Sequence, residues 1–295
     1  MIKKLKRLFI LVSFIVLLML CFIHSNRIIK ELLDYSYLFF TKLAPSSFLF
    51  FLLSSLIIEY QLLDILSQYF KINASSTYLF IISSISGFPS GAKYTKELYE
   101  KSYLNLEEAN KSLLYTHFPN PIFIFSSVYS LLNDYSLSLK IYLSIVFSNV
   151  VLFLFFKGKK KEIKRNPIKE KSFSKTLSFS LEKTFHTIVM IYGISLFFCL
   201  ISSIITNYFS FSPRGYVLIS GLFDLTKGIF STSILTNNHI RAFFILFFLS
   251  FGSISIHMQT SSILDNTNVK YESFLKGRII GTILSLLFYF ILISA

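Results

Sequence analysis

The sequence predicts an all-α polytopic membrane protein, and three observations support this fold class. Of the 295 residues, 53% are hydrophobic and only 15% are charged, whereas about a quarter of a soluble domain is charged. The charged residues lie between long apolar runs, as a bilayer requires. The chain also follows one plan twice, a helix, a broken segment, a second broken segment and a helix. This plan predicts two inverted repeats with re-entrant or discontinuous helices.

Residues 1–42 are predicted to form an N-terminal transmembrane helix and an interfacial segment. Four basic residues precede the apolar run 8–23, and no small-x-small cleavage site follows it. We therefore expect an uncleaved helix with its N-terminus in the cytoplasm. The mixed pattern of residues 27–42 indicates an amphipathic helix lying in the membrane interface.

The first transporter repeat is predicted to cover residues 43–156. Residues 43–58 should span the membrane, and a further apolar stretch extends to Phe70. The apolar arm 77–86 has about ten residues, too few to span a bilayer that needs about twenty. It leads into the sequence Gly-Phe-Pro-Ser-Gly-Ala-Lys at residues 87–93.

Residues 87–93 should open the backbone inside the membrane, because Pro89 has no amide proton and Gly87 and Gly91 tolerate unusual dihedral angles. An opened backbone is tolerated in lipid only where protein or a water-filled cavity satisfies it, which makes this segment a candidate wall of a binding site. Ser90 and the amides near Gly91 could receive an anion at a helix start, with Lys93 adding positive charge. The alternative is a packing kink beside a solvated lysine.

The polar stretch 93–111 keeps helical spacing, and Asn105 followed by Glu108 predicts a capping box. It is either a solvated helical hairpin or an arm that moves with the site. A second break follows at residues 118–121, where two prolines flank Asn120 and leave backbone carbonyls beside its amide. A short apolar run and a clear transmembrane helix over residues 137–156 complete the repeat.

A basic loop over residues 157–175 should lie in the cytoplasm. With the basic N-terminus it explains the net charge of +14, so we expect no nucleic-acid partner. Cys21 and Cys199 lie in apolar runs and are predicted to be buried small hydrophobic residues. No phosphate loop, dinucleotide fingerprint or metal-ligand spacing occurs in the sequence, so we expect no cofactor, no metal and no ATP-driven pump.

The second repeat is predicted over residues 176–295. Residues 187–206 and 279–294 should span, whereas 216–230 and 243–264 are broken by polar residues and glycine. If the N-terminus is cytoplasmic, the second repeat is inverted relative to the first. Corresponding broken segments in inverted repeats indicate a transporter site near the bilayer midplane.

Two groups of polar residues lie in these broken segments. Asp224 and Lys227 are three residues apart, so they should share a helix face and either neutralise each other or serve a substrate or coupling ion. Polar and apolar residues alternate from Ser253 to Gln259, which indicates an unwound or extended segment lining a cavity. His257 is either a satisfied core residue or the carrier of a coupled proton. The predicted substrate-binding residues are Gly87, Ser90, Gly91, Lys93, Asn120, Asp224, Ser253, Ser255, His257 and Gln259.

From residue 43 to the C-terminus the chain resembles the YlbJ-type sporulation integral membrane proteins. The resemblance is carried by blocks at residues 87–93, 97–98, 107–109, 120–124, 221–228 and 250–259. It implies a nucleoside-recognition Gate region and a carrier of dipicolinic acid across the outer forespore membrane. The sequence departs from the family pattern with Phe88 in place of tyrosine, Asp224 in place of glutamate, Ser253 in place of glycine and His117-Phe118-Pro119 in place of small polar residues.

The expected function is secondary transport of a small organic anion, with dipicolinic acid as the favoured substrate, and not catalysis. Ser90 and its neighbouring amides would receive a carboxylate, Asn120 and Gln259 would hydrogen-bond it, and Asp224 or His257 would carry a coupling proton. The alternatives are a nucleoside or nucleobase carrier and an intramembrane serine protease that uses Ser90 and His257. The expected location is a multi-pass position in the cell membrane, in contact with the lipid bilayer, and self-association into a homo-oligomer stays open.

Overall fold

A computed structural model describes residues 2–60, 62, 74–157 and 172–294. Within these ranges the secondary structure consists of helices and no strand. Five helical segments are long and apolar enough to cross a membrane, and they are Lys4–Ile23, Tyr135–Phe156, Phe173–Tyr208, Asn238–Leu264 and Tyr271–Ser294. A sixth span is possible if Ser25–Leu43 and Ser47–Glu59, bent by 49°, count as one. The predicted all-α polytopic membrane fold is confirmed, and contact with the lipid bilayer follows from it.

The helices are numbered in chain order. Those of the first part are α1 Ile2–Ile23, α2 Ser25–Leu38, α3 Ala44–Glu59, α4 Ala74–Ser86, α5 Ser90–Glu100, α6 Leu106–Ser112, α7 Pro121–Leu132 and α8 Tyr135–Phe156. Those of the second part are α9 Phe173–Tyr208, α10 Pro213–Phe223, α11 Leu225–Ser231, α12 Asn238–Phe251, α13 Ile254–Leu264 and α14 Tyr271–Ser294. The predicted apolar stretch over residues 63–70 and most of the basic loop lie outside the described residues.

The first broken segment consists of α4 and α5, which pack against each other across a turn at residues 87–89. Gly87 has a φ of +78°, in the left-handed region that favours glycine. In the second repeat α10 and α11 are separated by Asp224 alone and fold back on each other as a tight hairpin. The other broken segment of the second repeat is α12 and α13, interrupted at Gly252, whose φ is +82°. Both halves of the chain thus contain a glycine in the left-handed region at a predicted break.

The start of α6 follows the predicted capping box. The Asn105 side chain accepts a hydrogen bond from the backbone N–H of Glu108 at 2.9 Å, and the Glu108 carboxylate accepts one from the backbone N–H of Asn105 at 3.0 Å. The prediction is confirmed, because both orphan donors of the helix start are satisfied reciprocally. The α5 helix is less solvated than expected, since it buries Lys93, Tyr94, Glu97 and Leu98.

Two local predictions differ from the structure. Residues 27–42 do not lie only on the surface, because Tyr35 and Phe39 are buried in the main hydrophobic core and a π-helical turn joins α2 to α3. The extended segment expected after Ser253 is wrong for residues 254–259, which begin the helix α13. Polar and apolar residues alternate here because α13 buries polar side chains, among them Ser255, His257 and Gln259, against neighbouring helices. A buried position in this helix is therefore not necessarily an apolar one.

The close packing around the hairpin of α10 and α11 predicts that one added methyl group at Gly221 destabilises the protein. A Cβ added at Gly221 would lie 2.1 Å from Cζ of Phe248, whereas a Cβ at Gly193 on α9 would meet nothing within 4 Å. We expect Gly221→Ala to lower the free energy of unfolding by about 1–3 kcal/mol through overpacking. Gly193→Ala, the matched control, should be neutral or stabilising by up to about 1 kcal/mol through helix propensity.

The thermal midpoint of the purified protein in detergent would measure both changes. An equal effect of the two substitutions would mean that the hairpin does not pack this tightly in the membrane protein.

Candidate functional site

Asp224 is the centre of the second hairpin. Its side chain is 1% exposed. Oδ1 accepts the backbone N–H of Lys227 at 3.0 Å and so caps α11, while Oδ2 accepts hydrogen bonds from Ser255 Oγ at 2.9 Å and Tyr35 OH at 3.3 Å. Ser253 Oγ lies 2.7 Å from Ser255 Oγ and extends this chain of hydroxyl groups. One carboxyl group thus joins α2, α11 and α13.

Lys227 does not form an ion pair with Asp224, which was one of the two alternatives for their spacing. Its ammonium group donates to Glu31 Oε2 at 3.0 Å and to Ser203 Oγ at 2.6 Å. The physical reason is that Asp224 uses its carboxylate to cap the helix that Lys227 belongs to, so its oxygens face backbone amides and hydroxyl groups. The ammonium group of Lys227 instead pairs with Glu31 of α2, and this ion pair is a second link between α2 and the hairpin.

The first break contacts the segment that precedes α7. A Cβ at Gly87 would lie 2.7 Å from Cβ of Asn120, and a Cβ at Gly91 would lie 2.1 Å from the carbonyl oxygen of Thr116. Both glycines are therefore required by close packing. The backbone N–H of Ser90 donates to the carbonyl of Gly87 at 3.1 Å, and the Ser90 hydroxyl donates to the same carbonyl. An anion at this turn would have to compete with these internal hydrogen bonds.

Two buried amide side chains are only half satisfied. Asn120 accepts the backbone N–H of Ile122 at 2.8 Å, which begins α7, but its Nδ2 has no hydrogen-bond partner. Gln259 donates to Ser195 Oγ at 2.8 Å, but its Oε1 has no partner. Buried polar atoms without partners are costly and call for an explanation. A ligand that supplies the missing partners is one such explanation.

A small cavity of about 50 Å³ is lined by residues from both predicted repeats, and we call it the central cavity. Phe88 of the first break lines it, opposite Asp224 and Thr226 of the second hairpin. Ser47, Ser195 and Gln259 complete its polar lining. Of the predicted site residues, Asp224 and Gln259 line this cavity. Ser255 reaches it through its hydrogen bond to Asp224.

His257 lies in a different environment. Its Nδ1 is 2.7 Å from the hydroxyl of Tyr271 and its Nε2 is 3.2 Å from the carbonyl of Phe251. The ring also packs against Phe274, which contacts His117 on its other side. Both nitrogens of His257 thus have partners, and neither partner is Ser90. This arrangement gives no support to a serine–histidine pair.

Arg278 is a central residue that the sequence reading missed. It is 1% exposed, and its guanidinium donates to the carbonyls of Ser250 and Leu114, both at 3.2 Å. Leu114 lies between α6 and α7, and Ser250 lies near the end of α12, just before the break at Gly252, so a single side chain links these two segments. The sequence did contain a signal, because Arg278 directly precedes the predicted apolar helix. Placing an ionisable residue in the membrane is energetically costly, so such a residue indicates a structural or functional role.

A larger cavity of about 370 Å³ lies between the repeats. Lys93 and Glu97 of α5 line one side, and residues of α9 and α13 line the other, including Lys183 and Ser262. Lys93 is 6% exposed, and its ammonium group has no hydrogen-bond partner, although it lies 4.6 Å from the ring centre of Phe51. Lys93 is therefore far from solvated, and it belongs to this cavity and not to the central one.

Comparison with known proteins gives one informative match. The chain is 21% identical, over 301 aligned positions, to the sporulation integral membrane protein YlbJ of Bacillus subtilis (strain 168). The chain resembles a sporulation membrane protein. The match covers 84% of this chain and 73% of YlbJ, and it supports a relationship to the YlbJ-type proteins and a multi-pass membrane location. The chain matches no known family profile and no solved structure.

Proposed function

We propose that the protein is a secondary transporter of a small organic anion, with dipicolinate as the first candidate substrate. The observation that carries the proposal is the central cavity, because the breaks of both repeats line it through Phe88 and Asp224. Sites formed by broken helices of inverted repeats are characteristic of alternating-access carriers. In a spore-forming host we expect the protein in the outer forespore membrane.

The central cavity would be closed to substrate in the present conformation. A volume of about 50 Å³ holds only about one or two water molecules, so a pyridine ring with two carboxylates does not fit. The proposal therefore requires the two repeats to move apart around the hairpin tips, admitting the substrate from the larger cavity. Such movement would be a rocking of one repeat against the other.

Asp224 would set the proton requirement of this step. An ionised Asp224 would repel an incoming carboxylate, whereas a protonated one could donate a hydrogen bond to it. The unpartnered Nδ2 of Asn120 offers a further donor. The proposed transport would thus move an anion together with a proton held on Asp224.

Uptake of labelled dipicolinate into liposomes with and without the protein tests the proposal. We expect uptake by the wild type and a loss of at least about tenfold in Asp224→Asn, because asparagine cannot take up and release the coupled proton. Asp34→Asn is the matched control, because Asp34 is exposed on α2 next to Tyr35. It should change uptake by less than about twofold.

Wild-type liposomes that take up no more dipicolinate than empty ones would contradict the proposal. Competition by uridine would instead favour a nucleoside carrier. Labelling by a serine-directed fluorophosphonate would favour the protease alternative.

A further inference from the structure

We propose that the larger cavity is a second binding site, which takes a dicarboxylic acid in its half-protonated, singly charged form. Lys93 would bind the carboxylate, and Glu97 would accept a hydrogen bond from the remaining acid proton. This inference rests on the proposed function, because it names the form in which the anion is loaded. It adds a site outside the central cavity.

The first argument is the state of Lys93. Its ammonium group is buried and has no hydrogen-bond partner among the described residues, and it lies 4.6 Å from the ring centre of Phe51. The carboxylate of Glu97 acts on it through its charge but does not hydrogen-bond it. Leaving a buried charged donor without an acceptor is unfavourable by several kcal/mol in typical cases. A carboxylate entering the cavity would supply that acceptor.

The second argument is Glu97, one helical turn further along α5. It is 7% exposed, and its Oε2 has no hydrogen-bond partner. Residues four apart lie on the same helix face, and both line the cavity. The nearby cations Lys101 and Lys183 contact Glu59 instead, at 2.7 Å and 3.5 Å. The cavity therefore offers one donor and one acceptor side by side.

The charges around the pair select among ligands that satisfy both groups. The buried and half-buried charges are four cations, Lys93, Lys96, Lys101 and Lys183, and two carboxylates, Glu59 and Glu97. The exposed carboxylate of Glu100 lies 4.0 Å from Lys96 on the same helix, and counting it leaves one positive charge (four minus three). The side chains facing from α9, Glu182 and His186, are exposed. A monoanion balances this excess, whereas an amino-acid zwitterion does not.

The proton balance is simple. A dicarboxylate that is doubly ionised in solution takes up one proton on binding, and that proton is shared between its second carboxyl group and Glu97. No other bond forms or breaks. The volume of about 370 Å³ falls within the range of about 300–1,000 Å³ typical of small-molecule sites.

Calorimetric titration of dipicolinate into the full-length protein in nanodiscs tests the inference. Titration in two buffers of different ionisation enthalpy should show uptake of about one proton per ligand. Lys93→Met should weaken binding by at least about tenfold. Glu97→Gln should keep binding but lose the proton uptake, because its amide can donate to the second carboxylate directly.

Lys276→Met is the matched control, since Lys276 is an exposed cation on α14 that does not line the cavity. It should change the affinity by less than about twofold. Equal losses for Lys93→Met and Lys276→Met, or no proton uptake by the wild type, would overturn the proposal. Binding without transport would leave this site standing and refute the proposed function.

A second measurement covers the case in which Lys93→Met does not fold. Ser262 is exposed and lines the cavity, so Ser262→Cys in a Cys21→Ser, Cys199→Ser background should react with a charged thiosulfonate reagent. Dipicolinate should slow this reaction, and the monocarboxylate picolinate should not at the same concentration. Equal protection by picolinate, or protection by alanine, would contradict a half-protonated dicarboxylate as the ligand.

Discussion

Replacing Lys227 with methionine is expected to lower the free energy of unfolding by about 2–4 kcal/mol. Removing one partner of a buried ion pair typically costs about 3–5 kcal/mol, and partial exposure of Glu31 reduces this value. The side chains of Lys227 and Glu31 are 10% and 24% exposed, and their charged atoms lie 3.0 Å apart. The substitution leaves the Glu31 carboxylate with Arg27, at 3.5 Å, as its remaining cation. It also removes one of the two side-chain links between α2 and the second hairpin, while the hydrogen bond from Tyr35 to Asp224 stays.

Heating in the presence of a dye that fluoresces on reaction with thiols would measure this loss. Cys199 is a free cysteine with 1% exposure, so in a Cys21→Ser background it reacts only as the protein unfolds. Adding Glu31→Gln to Lys227→Met should restore part of the stability. Lys111→Met is the control, because Lys111 pairs with Glu107 at an exposed site worth about 0.3–0.5 kcal/mol.

If Lys227→Met and Lys111→Met had similar effects, the ion pair between α2 and the second hairpin would not form in the membrane protein. If the double variant were less stable than Lys227→Met alone, the remaining contacts of Glu31 with Asn207 and Arg27 would outweigh the cost of its unpaired charge.

Replacing Arg278 with methionine should also destabilise the fold, by about 2–4 kcal/mol. Two hydrogen bonds from a charged donor are lost, each worth about 1.5–3 kcal/mol, and the relief of a buried charge offsets part of this cost. The carbonyls of Leu114 and Ser250 would lose their shared donor. Arg278→Lys should be intermediate, because an ammonium group keeps the charge but not the planar fork that reaches two acceptors.

The same thermal assay checks this prediction, with Lys276→Met as the control on an exposed position of the same helix. A stabilising effect of Arg278→Met would show that desolvation of the guanidinium outweighs its two hydrogen bonds. Arg278 would then have been retained for a reason other than stability.

The sequence predicted those parts of the molecule that depend on local chemistry. The box of Asn105 and Glu108 follows from side chains that cap their own helix, and the break at Gly87 follows from a backbone angle that favours glycine. Apolar runs long enough to span also identified most of the membrane helices. These features need no knowledge of the tertiary structure.

The parts that were missed depend on residues distant in sequence. Glu31 pairs with Lys227 across 196 positions, and no local pattern connects them. Tyr35 was assigned to the interface because a mixed segment has the same composition whether it lies on a membrane or packs on a hairpin. Arg278 escaped notice because the final helix was predicted to start one residue after it.

The packing of the long helices has a consequence for how the chain assembles. The first helix of one repeat, α3, packs on the first helix of the other, α9, and the last helices, α8 and α14, pack on each other in the same way. These long helices therefore have extensive contacts with the other half of the chain. Such contacts close over large sequence separations, which slows folding, and we expect the first half to complete its packing only after the second half is inserted.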